Sequence, residues 1–155
     1  MLRQGLRSVA HSASKQLMHV GLSQGYLPLR QQLQRTLAAM EIAATPDAIV
    51  LTSGAAQGVD LVVRLLVKPG DTVIVGDPAW PAQLGALAMH GANLVSVPYR
   101  ADGPDLDALT LTVQQHRPRL LLLNNVLHNP TATVLSAAAA FRIFNACGEI
   151  RFFNC

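Results

Sequence analysis

Short apolar runs alternate with longer segments of helical periodicity along most of the chain. Four runs enriched in β-branched and aliphatic residues predict buried strands at 49–52, 72–75, 93–97 and 119–124. In the segments that follow, apolar residues recur every three or four positions, which predicts helices that begin near residues 54, 82, 105 and 136. This order indicates an α/β fold of three layers, a mainly parallel sheet with helices on both faces.

Two further elements are predicted ahead of the first strand. Residues 1–19 carry apolar positions at helical spacing and predict a short amphipathic helix. A loop that contains glycines follows, and Pro28 suits the first turn of a second helix that runs to about Glu41. The predicted inner face of this helix is formed by Leu29, Leu33, Leu37 and Met40.

Three of the predicted loops follow the carboxyl ends of strands, at 52–54, 77–81 and 125–133. In parallel α/β sheets, ligands bind beyond these strand ends. The three loops contain polar and aromatic residues, which should therefore gather along one edge of the sheet. This edge is the predicted binding site.

The first of these loops opens a helix. Ser53 is a favourable N-cap, and Gly54, Ala55 and Ala56 are too small to shield the backbone N–H groups behind them. A helix N-terminus of this kind carries partial positive charge and unpaired donors, so it can bind a phosphate. The same residues would also suit a plain capped helix, and the local pattern alone favours that simpler interpretation.

The composition limits the functions that the chain can serve. Half of its 155 residues are hydrophobic and 14% are charged, so the surface is thinly charged, as in a piece normally covered by other parts of a protein. The net charge of +3 is scattered along the chain, whereas a nucleic-acid surface concentrates its charge on one face. No apolar run reaches the roughly eighteen residues needed to span a bilayer.

The two cysteines, Cys147 and Cys155, match neither a metal-binding spacing nor a disulfide framework. We therefore expect no metal site, and the reducing cytoplasm is the expected location. The first residues lack a signal-peptide pattern because polar side chains, among them Gln4 and Arg7, interrupt any hydrophobic stretch.

Five short motifs carry a resemblance to a known family. They are GYLPLR (25–30), TSGAAQ (52–57), KPGDTV (68–73), DPAW (77–80) and NPT (129–131). In this order and spacing the chain resembles the fold type I pyridoxal-phosphate (PLP) enzymes, the class I/II aminotransferase family, from about Gly25 to about Phe144. The segments 97–99, 103–106 and 126–131 are most similar to the aminotransferase-like domain of MocR-type regulators. In those proteins a GntR-like winged-helix domain that binds DNA is fused to the aminotransferase-like domain.

The resemblance implies the first part of the PLP-dependent transferase large domain, with six cofactor-binding residues. They are Gly54, Ala55, Ala56, Gln57, Trp80 and Asn129. The first three would present backbone N–H groups to the cofactor phosphate, with Gln57 beside them. Because the other motifs are present as well, a phosphate-binding role for this helix start is favoured over a plain capped helix.

The same resemblance implies that two further residues bind the ring of the cofactor. Trp80 would stack on the pyridine ring, and Asn129 would hydrogen-bond the phenolic oxygen. As the single tryptophan, Trp80 could instead be a packing residue, and Asn129 could instead form a local turn before Pro130. We expect His128 to be a loop residue and not a catalytic base, and Arg30 to be a surface or structural residue and not a substrate clamp.

Three parts of the family's chemistry are missing from the sequence. PLP enzymes need a lysine for the Schiff base, a carboxylate for the pyridinium nitrogen and usually an arginine for the substrate carboxylate, and in this family all three follow the Asn-Pro-Thr motif. Lys15 precedes every motif, and Lys68 lies in a turn expected at the other end of the sheet. No catalytic residue is therefore assigned, and the isolated chain is expected to bind PLP weakly at best and to be inactive.

Two single-residue departures accompany this loss. Ala132 stands where the family usually has a glycine, and Gly76 where it usually has an acidic residue. Ala132 would be strained if the position needs a positive φ. The last residues, 148–155, do not resemble the expected continuation.

We expect three segments, a partial amino-terminal segment (1–24), a partial aminotransferase-like domain (25–147) and an atypical tail (148–155). The simplest explanation is a fragment of a longer parent. The parent would be a MocR-type regulator that senses an amino acid or amine and reaches DNA only through its winged helix, or a free-standing amino-acid aminotransferase. A remnant with neither role is the third possibility. The family is usually homodimeric, and whether the parent is an enzyme stays open.

Overall fold

The computed structural model describes residues 4, 5, 7, 21–124, 126–148 and 151–154. The helix predicted at 1–19 therefore lies almost entirely outside the described residues, as do Lys15 and Cys155. The chain forms two compact units, residues 1–52 and residues 53–155.

The first unit contains helix α1, Leu27–Ala39, and a short 3₁₀ helix, Pro46–Ala48. Proline occupies the first turn of both, as its fixed φ and missing N–H favour. The apolar face predicted for α1 is only partly buried, since Leu29 and Met40 are exposed. The buried residue of this helix is Arg30.

The strand predicted at 49–52 is wrong, because these residues belong to no sheet in the part of the chain that the structure describes. Ile49 has extended backbone angles, in keeping with its β-branched side chain. However, the N–H of Leu51 donates to the carbonyl of Gln24, 2.9 Å away in a loop. A β-branched run favours an extended conformation but does not supply a pairing strand.

The second unit alternates strands and helices as the hydrophobic pattern predicts. Its elements are α2 (Ala55–Leu66), β1 (Thr72–Asp77), α3 (Pro81–Met89), β2 (Asn93–Arg100), β3 (Gly103–Pro104), α4 (Leu106–His116), β4 (Leu120–Leu123), α5 (Ala137–Cys147) and β5 (Arg151–Asn154).

The described strands form one sheet in the order β3-β2-β1-β4-β5. All neighbours are parallel except the short β2–β3 pair. In the register of the central strand, Val73 lies opposite Leu94 on β2 and Leu120 on β4. The predicted α/β class with a mainly parallel sheet is confirmed. Strand β5 was not predicted, and it pairs with β4 within the segment expected to be an atypical tail.

The two faces of the sheet carry separate hydrophobic clusters, because successive side chains of a strand point to opposite faces. One cluster joins α2 and α3 to the sheet through Val59, Val63, Val67, Val73, Val75, Leu87, Leu120 and Leu122. The other joins α4 and α5 to the opposite face through Ile74, Val97, Leu109, Leu121, Leu123 and Ile143. Helices thus cover both faces, as predicted.

Two helices of this unit begin with a side-chain cap. The Ser136 hydroxyl accepts the N–H of Ala139 at 3.1 Å at the start of α5, and Asp105 caps α4. The prediction that Ser53 is the N-cap of α2 is wrong, because Gly54 occupies the N-cap position at a φ of 84°. No helix among the described residues is both long and apolar enough to span a membrane.

Candidate functional site

Two of the predicted site loops leave the same edge of the sheet. Strands β1 and β4 are parallel neighbours, so their carboxyl ends lie side by side. Trp80 follows the end of β1 by three residues, and Asn129 follows the end of β4 by six. The topology therefore places the indole and the amide on one edge of the sheet.

The amino end of α2 lies toward this edge as well. The helix ends at Leu66, whose carbonyl accepts the Nε–H of Arg119 at 3.0 Å, immediately before β4 begins. The chain then turns through a tight loop into the amino end of β1. A twelve-residue helix and a six-residue strand are both roughly 20 Å long, so α2 runs back along the sheet to its carboxyl edge.

The first turn of α2 presents open backbone donors. The N–H groups of Ala55, Ala56 and Gln57 have no acceptor among the described residues. No acidic residue lies in this turn to oppose a negatively charged ligand. Glycine suits the N-cap position 54 because its φ of 84° would strain any other residue. Space does not require glycine there, since a Cβ atom would meet no atom within 4 Å.

Gln57 already has a structural partner. Its side-chain Oε1 accepts the backbone N–H of Ser53 and so closes the loop ahead of the helix. This is the reverse of the cap predicted from Ser53, because the longer side chain reaches back to the loop.

Trp80 lies on the surface of the described chain. Its side chain is 45% exposed, and it belongs to neither hydrophobic cluster. The residue is the N-cap of α3, where Pro81 begins the helix. The geometry leaves the flat indole accessible at the sheet edge.

Asn129 is exposed, and its side-chain amide has no partner among the described residues. Its loop is closed by two backbone hydrogen bonds, from the N–H of His128 to the Thr133 carbonyl at 2.8 Å and from the N–H of Ala132 to the His128 carbonyl at 2.6 Å. Ala132 has a φ of 57°, so the position that carries glycine in the family does require a positive φ here.

His128 is buried, with 3% of its surface exposed. Its ring stacks on Tyr99 with 3.9 Å between centroids and 15° between planes. The Nδ1 atom lies 2.7 Å from the Thr131 hydroxyl, and burial lowers the pKa of the imidazole below its ordinary 6.5. The neutral ring is therefore held inside the loop that carries Asn129.

Tyr99 is a site-edge residue that the sequence reasoning missed. It lies near the carboxyl end of β2, and its hydroxyl donates to the carbonyl of Asn124 at 3.3 Å. Burial raises the pKa of Tyr99 to about 12. No local signal identifies the residue, because its partners lie 25 and 29 positions further along the chain.

Lys68 and Arg30 were the other two candidates in the sequence. Lys68 is in the turn before the amino end of β1, and its backbone N–H donates to Oδ2 of Asp71 at 2.8 Å. Arg30 belongs to the first unit, where it is 1% exposed and donates to the carbonyls of Gly25 and Pro46 at 3.2 and 2.7 Å. In the described chain, no group of three or more potential ligands could hold a metal ion.

Comparison with known proteins identifies the family. The family profile described as aminotransferase class I and II matches residues 2–149. The chain belongs to the class I and II aminotransferase family. The predicted resemblance is thereby confirmed, and both enzymes and regulators of this family are among its relatives.

A 2-aminoadipate transaminase of Thermus thermophilus is 31% identical over 127 residues, 82% of this chain and 31% of that protein. An uncharacterized HTH-type transcriptional regulator of Escherichia coli, YdcR, is 32% identical over 136 residues, 87% of this chain and 29% of the regulator. The chain thus spans about a third of the length of these relatives.

Solved aminotransferases share the fold. The α-aminoadipate aminotransferase LysN from Thermus thermophilus, complexed with N-(5′-phosphopyridoxyl)-L-leucine, superimposes with a TM-score of 0.83 and 26% identity over 96% of this chain and 37% of its own. N-succinyldiaminopimelate aminotransferase from Mycobacterium tuberculosis gives a TM-score of 0.84 and 27% identity over 99% and 40%. The fold described above is therefore the fold of part of a class I and II aminotransferase.

Proposed function

We propose that this chain supplies the phosphate-binding and ring-stacking part of a PLP site in an aminotransferase-like domain. The observation that carries the proposal is the gathering of three complementary groups along one sheet edge. These groups are the N–H donors in the first turn of α2, the indole of Trp80 and the amide of Asn129, of which the donors and the amide have no partner among the described residues and the indole is exposed. Each suits a different part of one ligand that has a phosphate, a flat ring and a phenolic oxygen.

The chemistry of these residues suits each part of the cofactor. The N–H groups of Ala55, Ala56 and Gln57, at the positive end of a helix, suit a phosphate dianion. The Trp80 indole offers a face for a pyridine ring, and the Asn129 amide offers a donor for its phenolic oxygen. When bound, PLP supplies an electron sink for reactions at an amino acid or amine.

We further propose that the chain alone does not catalyse transamination. Lys68 lies at the amino edge of the sheet, opposite the site loops, so it does not reach the ligand. Incubation with one equivalent of PLP, borohydride reduction and intact-mass analysis should therefore leave the protein mass unchanged. A stoichiometric pyridoxyl adduct on Lys15 or Lys68 would contradict this.

For the parent, we propose a MocR-type regulator, with a free-standing aminotransferase as the second candidate. The regulators YdcR, YdfD and YjiR support the first, at 32%, 30% and 27% identity. The transaminase at 31% identity supports the second equally well. The regulator is preferred because residues 97–99, 103–106 and 126–131 resemble those of MocR-type regulators. Such a parent would be a cytoplasmic homodimer that takes an amino acid or amine and contacts DNA through a winged helix.

The binding proposal can be tested with 4-deoxypyridoxine 5′-phosphate, which has no aldehyde and cannot react with lysines. We expect weak, saturable binding by calorimetry, and still weaker binding of the same compound without its phosphate. Asn129→Ala should weaken binding by about threefold to tenfold, the value of one hydrogen bond. The matched control is Asn93→Ala, an exposed asparagine at the amino edge of the sheet. Equal affinity of the two variants would contradict the proposal.

A further inference from the structure

The ring of Tyr99 lies across the central strand of the sheet. Tyr99 is on β2, Gly76 is on the neighbouring β1, and β4 lies on the far side of β1. A Cβ atom on Gly76 would come within 2.8 Å of Tyr99 Cδ2 and closer still to Cε2. The ring therefore occupies the space that any side chain at position 76 would need.

From this position the ring reaches the loop beyond β4. The hydroxyl of Tyr99 donates to the Asn124 carbonyl at 3.3 Å, and its face stacks on His128 at 3.9 Å between centroids. Two contacts of different chemistry thus link β2 to the loop that carries Asn129.

His128 packs this loop against the sheet. Between residues 126 and 132 it is the one buried side chain, while Val126 and Leu127 are 65% and 69% exposed. Its Nδ1 lies 2.7 Å from the hydroxyl of Thr131, which in turn lies 2.9 Å from the hydroxyl of Thr133. Asn129 is therefore flanked on both sides by residues of one hydrogen-bonded group.

We propose that Tyr99 is a positioning residue of the ligand site: its ring, resting on Gly76, clamps His128 and so presents Asn129 at the edge of the sheet. The inference rests on the proposed function for the part that Asn129 plays in binding. The inference also explains why position 76 has a glycine where the family usually has an acidic residue, because only glycine leaves room for the Tyr99 ring.

The test compares Tyr99→Leu, which removes the ring, with Tyr99→Phe, which keeps the stack and loses only the hydroxyl. Two properties are measured, amide hydrogen exchange of peptides covering 126–133 and affinity for 4-deoxypyridoxine 5′-phosphate. In Tyr99→Leu we expect exchange in this loop to accelerate by about tenfold or more and affinity to fall about as far as in Asn129→Ala. Tyr99→Phe should stay close to the wild type in both.

A double-mutant cycle separates positioning from general damage. If Tyr99 acts through Asn129, the variant Tyr99→Leu/Asn129→Ala should bind no more weakly than Asn129→Ala alone. Additive losses of affinity would overturn the inference, and so would unchanged exchange of the loop in Tyr99→Leu. Exchange of the peptide that covers β1 verifies folding. Should Tyr99→Leu not fold, His128→Ala removes the other half of the stack and is expected to give the same loop exchange and the same non-additivity.

The two measurements also separate this inference from the proposed function. If the wild type does not bind the ligand, the proposed function fails together with the role of Asn129. Hydrogen exchange then still decides whether the Tyr99 ring holds the loop in place.

Discussion

The imidazole Nε2 of His90 lies 2.8 Å from Oδ1 of Asp60, which links the end of α3 to the middle of α2. Arg64 donates its Nε–H to the other carboxylate oxygen, Oδ2, also at 2.8 Å. The hydrogen bonds from Arg64 and then His90 lower the pKa of Asp60 below its ordinary 3.8. The contact joins the two helices that cover one face of the sheet.

This arrangement predicts how stability depends on pH. Because the pKa of Asp60 is depressed, the folded protein keeps the carboxylate ionised where the unfolded chain binds a proton. The stabilisation is therefore present above the ordinary value of 3.8 and is lost as the pH falls through the lower, folded value. Asp60→Asn should lower the free energy of unfolding at neutral pH and have less effect at about pH 3, as measured by urea denaturation. Asp102→Asn, in an exposed turn, is the control and should change neither.

Arg30 should be essential for the order of the first unit. Replacing it by Met keeps an unbranched apolar side chain but removes the guanidinium that donates to the carbonyls of Gly25 and Pro46. We expect a local destabilisation of about 3 kcal/mol, seen as faster hydrogen exchange over residues 24–51. The same change at Arg35, which is exposed on the same helix, should have little effect. Equal exchange in the two variants would show that the buried guanidinium is dispensable.

Two Gly→Ala substitutions should have opposite signs. Gly76→Ala forces a methyl group into the Tyr99 ring and should destabilise the protein by about 2 kcal/mol. Gly85→Ala lies in the exposed interior of α3, where a Cβ meets nothing within 4 Å, and should stabilise it by about 0.5 kcal/mol or more. Thermal or urea denaturation measures both. Adding Tyr99→Leu to Gly76→Ala should recover part of the loss, and no recovery would exclude the ring as its cause.

Ala132→Gly should stabilise the loop that carries Asn129. The φ of 57° strains alanine and suits glycine, so the free energy of unfolding should rise by up to about 1 kcal/mol. Ala101→Gly is the matched control in an exposed turn without a positive φ, and it should destabilise the protein because glycine gains freedom when unfolded. A loss of stability in both variants would mean that Ala132 is not strained.

The alternation of strands and helices could be predicted because both faces of the sheet are covered. A strand buried on both sides is a continuous apolar run, and all four residues of β4 are indeed buried. The edge at which Trp80 and Asn129 lie together follows from the same alternation. Ser136 could be recognised as a cap because its hydroxyl acts within its own first turn.

What the sequence could not supply depends on partners distant along the chain. The residues at 49–52 favour an extended conformation, but whether they pair with a strand depends on what lies beside them. The place of Tyr99 depends on Gly76 and His128, which lie on two other elements. The substitution of glycine for an acidic residue at position 76 was visible in the sequence, whereas its consequence required the neighbouring strand.

The overlap between residue 76 and the Tyr99 ring also limits which changes selection can accept. A side chain at position 76 is tolerated only after the aromatic ring at position 99 has been replaced. Position 99 should therefore change before position 76 in evolution. Across homologous sequences, tyrosine at the position of residue 99 should occur together with glycine at the position of residue 76. A larger residue at position 76 should occur together with a small residue at position 99. The pair would then mark a lineage within the family, readable from sequence alone.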